Sequence, residues 1–284
     1  PTYAVLAARH AVHAETYQKS AWSTEGILRR HIVPRWGLLR LDEIEPEAVA
    51  RCLADKAAGG LKPATIEKIR VVFSRSFELA RQWDVPGAEP NPIRRVPRPR
   101  FSNARERYLT ADEAARLRVA LQRSANPQLK HIVGLLLLTG ARKSELLNAE
   151  WQHVDLERRT WLIPTSKNGK SRRVPLSAAA IDILRALPRF SGCPYVVPNP
   201  DTLKPYVSVK RAWQTARDSA GLSDLRIHDL RHSAASFMIN AGVDLYAVGK
   251  VLGHANYLSS QRYSHVAGDT LLAAVEAGAA KLGF

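Results

Sequence analysis

Four short segments, far apart in the chain, carry side chains suited to chemistry on a phosphate. They are Thr139-Gly-Ala-Arg142-Lys-Ser-Glu145, the turn Lys167-Asn168-Gly169-Lys170, the run His228-Asp-Leu-Arg231-His232, and Leu252-Gly-His254 leading on to Arg262-Tyr263. Taken singly, each is weak. An arginine after an apolar helix is ordinary, and a lysine beside a turn usually serves solubility. A lone histidine or tyrosine is more often structural than catalytic. Position adds more. Arg142 stands where one apolar run stops and a second helix is expected, and a helix start offers N–H groups and a positive dipole end to a phosphate. His228 and Arg231 lie three apart, hence on one face of a helix. Tyr263 follows His254 by nine residues.

In chain order the set reads Arg142, Lys167, His228, Arg231, His254, Tyr263. This order resembles the tyrosine recombinase (phage integrase) family, whose signature is Arg, Lys, His-x-x-Arg, His or Trp, and Tyr. The local wording TGARKSELL, SKNGKSRRVPL, IHDLRHSAAS and LGHANYLSSQRYSHV is similar to the family's motif boxes, over essentially all of 108–267. The resemblance implies a site-specific recombinase or integrase that cleaves and rejoins DNA through a covalent 3′-phosphotyrosyl bond. Neither metal, cofactor nor ATP is called for. Arg142 and Arg231 suit the non-bridging oxygens, because guanidinium groups fork onto them bidentately where lysine cannot. The resemblance implies Lys167 as general acid, with Lys170 the competing candidate. A phenol with a pKa near 10 needs a proton acceptor at neutral pH, and His228 fits that role. His254 suits a hydrogen bond to the phosphate, and Tyr263 is the nucleophile. Tyr257, in the same loop, falls too early and reads as structural.

Three rival readings use the same residues. His228 and His232 have the i, i+4 spacing of zinc peptidases, but that motif wants Glu where Asp229 stands. A DNA-binding module of the same fold without cleavage is a second. A topoisomerase-like nick-and-reseal enzyme is the third.

Composition agrees with a polyanionic partner. The net charge is +16 across 284 residues, which suits nucleic acid. Residues 1–100 carry 17 Lys and Arg against 11 Asp and Glu, and residues 101–284 carry 25 against 15. Both halves are therefore basic. Cys52 and Cys193 are isolated and read as reduced, and no apolar run is long enough for a membrane span. No signal peptide is visible. The expected setting is cytoplasmic and nucleoid-associated, in a bacterium or phage.

The elements that must position these residues are mostly helices. The expected fold is mainly α: a helical core-binding domain, then a mostly helical catalytic domain with a small antiparallel β-sheet. Apolar spacing predicts helices over 2–16, 21–31 and 64–83, with Pro46 and Pro63 opening helical runs. Residues 89–107, rich in Pro and Arg, read as a basic linker between a core-type DNA-binding domain at 1–88 and a catalytic domain at 108–284. Thr110 and Glu113 have capping-box spacing, and a buried helix follows at 128–138. Asn168-Gly169 between short apolar runs predicts a hairpin. Beyond it, helices are expected at about 178–187, 206–220, 228–240, 244–252, 259–265 and 269–281.

Predicted DNA contacts outside the catalytic set are Lys68, Arg70 and Arg75, the linker residues Arg98 and Arg100, and Lys170, Arg172 and Arg173 on the hairpin. The expected partner is double-stranded DNA at recombination core sites. The family implies a homodimer per site and a homotetramer in the synaptic complex, with accessory DNA-bending or directionality proteins as further candidates. The last expected helix could dock on a neighbouring protomer or on its own domain. No small N-terminal arm-binding domain, which many members carry, is visible.

Overall fold

Proline sets several boundaries in the first third of the chain, because a residue without an N–H is tolerated in the first turn of a helix. The computed structural model describes residues 1–102, 105–165, 169 and 171–253. The chain divides into two units, Pro1–Arg105 and Glu106–Phe284.

In the first unit, α1 spans Tyr3–Tyr17 and α2 spans Ala21–Ile27. A π-helical turn, Leu28–Ile32, carries α2 into α3, Val33–Trp36. Pro34 explains the turn. It has no N–H to give, and its ring crowds the carbonyl four residues back. The helix widens instead, so that Val33 N–H donates to the Leu28 carbonyl, five residues back. Helix α4 (Pro46–Ala58) and helix α5 (Pro63–Gln82) both begin on proline. Tyr3, Leu6, Ile32, Trp36, Ile69, Phe73 and Phe77 form the core, with the Tyr3 ring edge-on to Phe73 at 4.9 Å. The Pro/Arg-rich stretch is not free chain throughout. Pro92–Arg95 forms a 3-10 turn, and Ile93 and Val96 are buried in this same core.

The second unit opens with α6, Ala111–Gln122, capped by Thr110 and Glu113 as their spacing predicts. Helix α7, Leu129–Thr139, is apolar nearly all round and lies at the centre, with Leu129, Ile132, Val133, Leu135 and Leu136 buried. A short α8, Lys143–Leu147, follows. Strands β1 (Val154–Asp155), β2 (Thr160–Ile163) and β3 (Arg172–Pro175) form an antiparallel sheet in that order. Trp161 pairs with Val174 and Ile163 with Arg172, so Trp161, Ile163 and Val174 face the core together. Then come α9 (Ala178–Ala186), α10 (Lys210–Ser219), α11 (Asp229–Asn240) and α12 (Leu245–Leu252).

Among the described residues the chain is thus mainly helical with one small antiparallel sheet. Helix α10 starts at Lys210 rather than 206. Residues Pro198 and Pro205 bridge across a loop before it, and the Ser208 hydroxyl accepts from Lys210 N–H at 3.1 Å. The short β1 has no signal in the alternation of apolar residues. The helices expected at 259–265 and 269–281 lie outside the described residues. Among the described residues no helix is long and apolar enough to cross a membrane.

Candidate active site

Helix ends leave carbonyls without an intrahelical partner, and two of them are bound by one buried arginine. Arg231, 5% exposed in the first turn of α11, donates from Nη1 to the Gly140 carbonyl (2.6 Å) and from Nη2 to the Leu252 carbonyl (2.7 Å). Gly140 caps α7 and Leu252 is the last residue of α12. The negative ends of two helices therefore face one guanidinium. This brings the Thr-Gly-Ala-Arg segment, the His-Asp-Leu-Arg segment and Leu252-Gly253 to one place.

Close approach there requires glycine. Gly140 has φ +60°, and a Cβ on it would lie 2.4 Å from Leu252 Cδ2. Gly253 has φ +70°, and a Cβ on it would lie 2.4 Å from Arg172 Cδ. Arg172 brings strand β3 into the cluster.

Glu145 closes the ring. Arg172 forks onto it, Nη1 to Oε1 at 2.9 Å and Nη2 to Oε2 at 2.7 Å. Arg142 reaches the same carboxylate from its backbone N–H (2.8 Å) and from Nη1 (2.8 Å). Burial alone pushes the Glu145 carboxyl up, but the bonds from Arg172 and Arg142 outweigh it and hold it down at about 2. Glu145 carried no role in the sequence reading. Its signal was present: an acid three residues after Arg142, at capping spacing, in a box otherwise cationic.

Two expectations change as a result. Arg142 N–H is not open to a phosphate, because Glu145 already accepts from it. Arg172, expected to contact DNA, is turned inward, its side chain 10% exposed and forked onto Glu145.

His228 sits exposed at the N-terminus of α11, its ring edge-to-face with His232 at 5.4 Å. Asp229 is buried and accepts from Arg226 N–H at 2.9 Å, which fixes the turn just before His228 and Arg231. No group of three His, Cys, Asp or Glu placed to hold a metal occurs among the described residues. Lys167, Lys170, His254 and Tyr263 lie outside the described residues. The structure thus places Arg142 two residues after the carbonyl that Arg231 holds, and His228 at the start of α11, three residues before Arg231.

The predicted DNA contacts of the first unit separate into two kinds. Lys68 and Arg100 are exposed. Arg75 is 40% exposed and 3.5 Å from Glu78. Arg70, by contrast, forks onto Glu67 at 2.8 and 2.9 Å, and Arg98 donates to the same carboxylate at 3.1 Å. Those bonds, from Arg70 foremost, hold the Glu67 carboxyl below its usual range. In the second unit, Arg173 is exposed on β3.

A model of the phage integrase family matches residues 107–269, more than half the chain. The chain belongs to the phage integrase family. It is a tyrosine recombinase, an enzyme of DNA cleavage and rejoining. Among curated relatives, this chain is 30% identical over 278 residues to the shufflon-specific DNA recombinase of Escherichia coli, covering 94% of the chain and 68% of the relative. It is 32% identical over 200 residues to the integrase of Salmonella phage P22, covering 66% of the chain but only 50% of the relative. Among solved structures, a lambda integrase (75–356) dimer bound to a COC′ core site superposes with a TM-score of 0.73 at 19% identity, covering 90% of this chain and 96% of that one. The fold is shared with it.

Proposed function

We propose that this integrase cuts one strand of a duplex core site with Tyr263, holding the scissile phosphate between Arg142 and Arg231. The phenol oxygen bonds to phosphorus, and the bond from phosphorus to the 5′ oxygen breaks. The 3′-phosphotyrosyl link keeps the bond energy, so rejoining needs no ATP. Lys167 gives the leaving oxygen its proton, and His228 takes the proton of Tyr263. His254 donates to a non-bridging oxygen. Charge builds on those oxygens in the transition state, where fixed donors in a site shielded from water act most strongly.

What supports this reading is the run of contacts from Gly140 through Arg231, Leu252-Gly253, Arg172 and Glu145 to Arg142, which links the ends of α7 and α12 with α8, α11 and β3. A cluster of guanidinium groups held by backbone carbonyls and one carboxylate is costly to build. Such preorganisation makes physical sense where an anion binds.

Residues 1–88 grip the core site, and the basic stretch 89–107 follows the phosphate backbone. Lys68, Arg75, Arg98, Arg100 and Arg173 are the cations for this task, together with Lys170. Two copies occupy one site, as in the lambda integrase dimer, and four meet in synapsis. The protein works in the cytoplasm, on the nucleoid of a bacterial host.

The test is a duplex nicked next to the cleavage position, so that the leaving strand is lost and the adduct cannot reverse. Wild type should give a covalent protein–DNA band in denaturing gels and Tyr263→Phe should give none. An equal band from Tyr263→Phe would overturn the assignment.

A further inference from the structure

The chain entering the second unit is fastened to the helix that carries His228 and Arg231. Arg107, the second residue of that unit, is the fastening. It forks onto Glu113, Nη1 to Oε2 at 2.8 Å and Nη2 to Oε1 at 2.9 Å. Its Nε donates to Asp224 at 2.8 Å, and Nη1 also binds the Tyr108 carbonyl at 2.6 Å. Asp224 lies four residues before His228. Two residues past Arg107, the buried Leu109 donates its N–H to Ser233 Oγ at 2.8 Å, and that hydroxyl donates to the Asp229 carbonyl at 2.9 Å. One short stretch of chain thus holds the loop ahead of α11 by an ion pair and α11 itself by a serine.

The loop before α11 has little freedom otherwise. Leu222 and Leu225 are buried, Arg116 holds the Ala220 carbonyl at 3.0 Å, and Arg217 holds the Leu225 carbonyl at 2.8 Å. The Arg107–Asp224 pair adds a hold at Asp224, four residues ahead of His228. Misplacement of a catalytic group by about 1 Å can lower a rate on the order of 10²-fold.

We propose that Arg107, through Asp224, is a positioning residue for His228 and Arg231, so that this pair sets the cleavage rate and not DNA affinity. This rests on the Tyr263 reading above. Arg107 touches no reacting atom.

The experiment is single-turnover cleavage of the nicked duplex, with the rate constant at saturating protein and the half-saturating concentration read separately. Arg107→Gln should slow cleavage about tenfold, with half-saturation unchanged within about twofold. Arg107→Lys should recover part of the rate, since an ammonium still pairs as a point charge. Asp224→Asn keeps the Arg107–Glu113 fork and should fall between wild type and Arg107→Gln. If Arg107→Gln does not fold by thermal unfolding, Asp224→Asn alone decides. Wild-type rate in folded Asp224→Asn overturns the proposal. So does a loss confined to half-saturation, which would make Arg107 a phosphate contact. Absence of adduct from wild type itself overturns the Tyr263 reading, a result distinct from both.

Discussion

At the residue scale, Glu145 has the largest consequence. Its carboxylate is 6% exposed and is shared by two arginines. Glu145→Gln leaves both guanidinium groups facing a neutral amide. Removing one partner of a buried ion pair typically costs about 3–5 kcal/mol, so the unfolding midpoint in urea should drop clearly. Cleavage of the nicked duplex should slow on the order of 10²-fold, because Arg142 loses its orientation. A variant with unchanged stability and rate would show that the ring is incidental.

His10 gives a second prediction at this scale. It is buried, with Nδ1 2.8 Å from Ser76 Oγ, and Tyr3 holds the same hydroxyl at 2.9 Å. Burial first, then the charge of Arg75, lowers its pKa from 6.5 to about 4. The unfolded chain therefore takes up a proton near pH 6.5 that the folded chain refuses until about pH 4. Stability should fall as pH drops through this window. Melting temperatures of wild type and His10→Gln between pH 7 and 4.5 check it. The wild-type curve should be the steeper, and parallel curves would rule His10 out as the source.

At the element scale, the site depends on how helices end. Helices α7 and α12 both stop on glycine in the left-handed region, and both ends meet Arg231 or Arg172. A side chain in that conformation costs roughly 1–2 kcal/mol, before any clash. Gly253→Ala adds a contact at 2.4 Å to Arg172 Cδ. It should destabilise the protein by at least this conformational cost and push Arg172 off Glu145. Thermal unfolding measures the first effect. The pH at which stability begins to fall in acid reports the second, since Glu145 freed of Arg172 is no longer held as far below 4.5. Its stabilising contribution, present above that value and lost as pH falls through the folded pKa, should then shrink. A variant as stable as wild type at neutral and acid pH would dismiss the steric argument.

At the scale of the whole molecule, the charge of +16 makes DNA affinity salt-dependent. Every phosphate neutralised contributes about 0.9 to the slope of log affinity against log salt. Exposed Lys68 should count toward that slope, so Lys68→Ala should lower it by about one unit. Arg70, already forked onto Glu67, should not. Binding isotherms over a range of salt distinguish them. Equal slopes for Lys68→Ala and wild type would remove that helix face from the DNA interface.

Much of this was legible from the residues alone. The order of Arg142, Lys167, His228, Arg231, His254 and Tyr263 pointed to the family by resemblance to its signature, and guanidinium groups in it suit the charge of a phosphate. Helix starts at Pro46, Pro63 and Thr110 were legible too, since proline and capping residues act through their immediate neighbours. What the chain order could not contain was pairing across distance. Glu145 and Arg172 stand 27 positions apart, Arg231 and Gly140 stand 91 apart, and Arg107 and Asp224 stand 117 apart. Only the packed fold decides which cations are turned inward onto a carboxylate, as Arg70 and Arg172 are, and which stay exposed, as Lys68, Arg98, Arg100 and Arg173 do. A residue's type is a local property, whereas its partner is whatever the chain brings within about 3 Å.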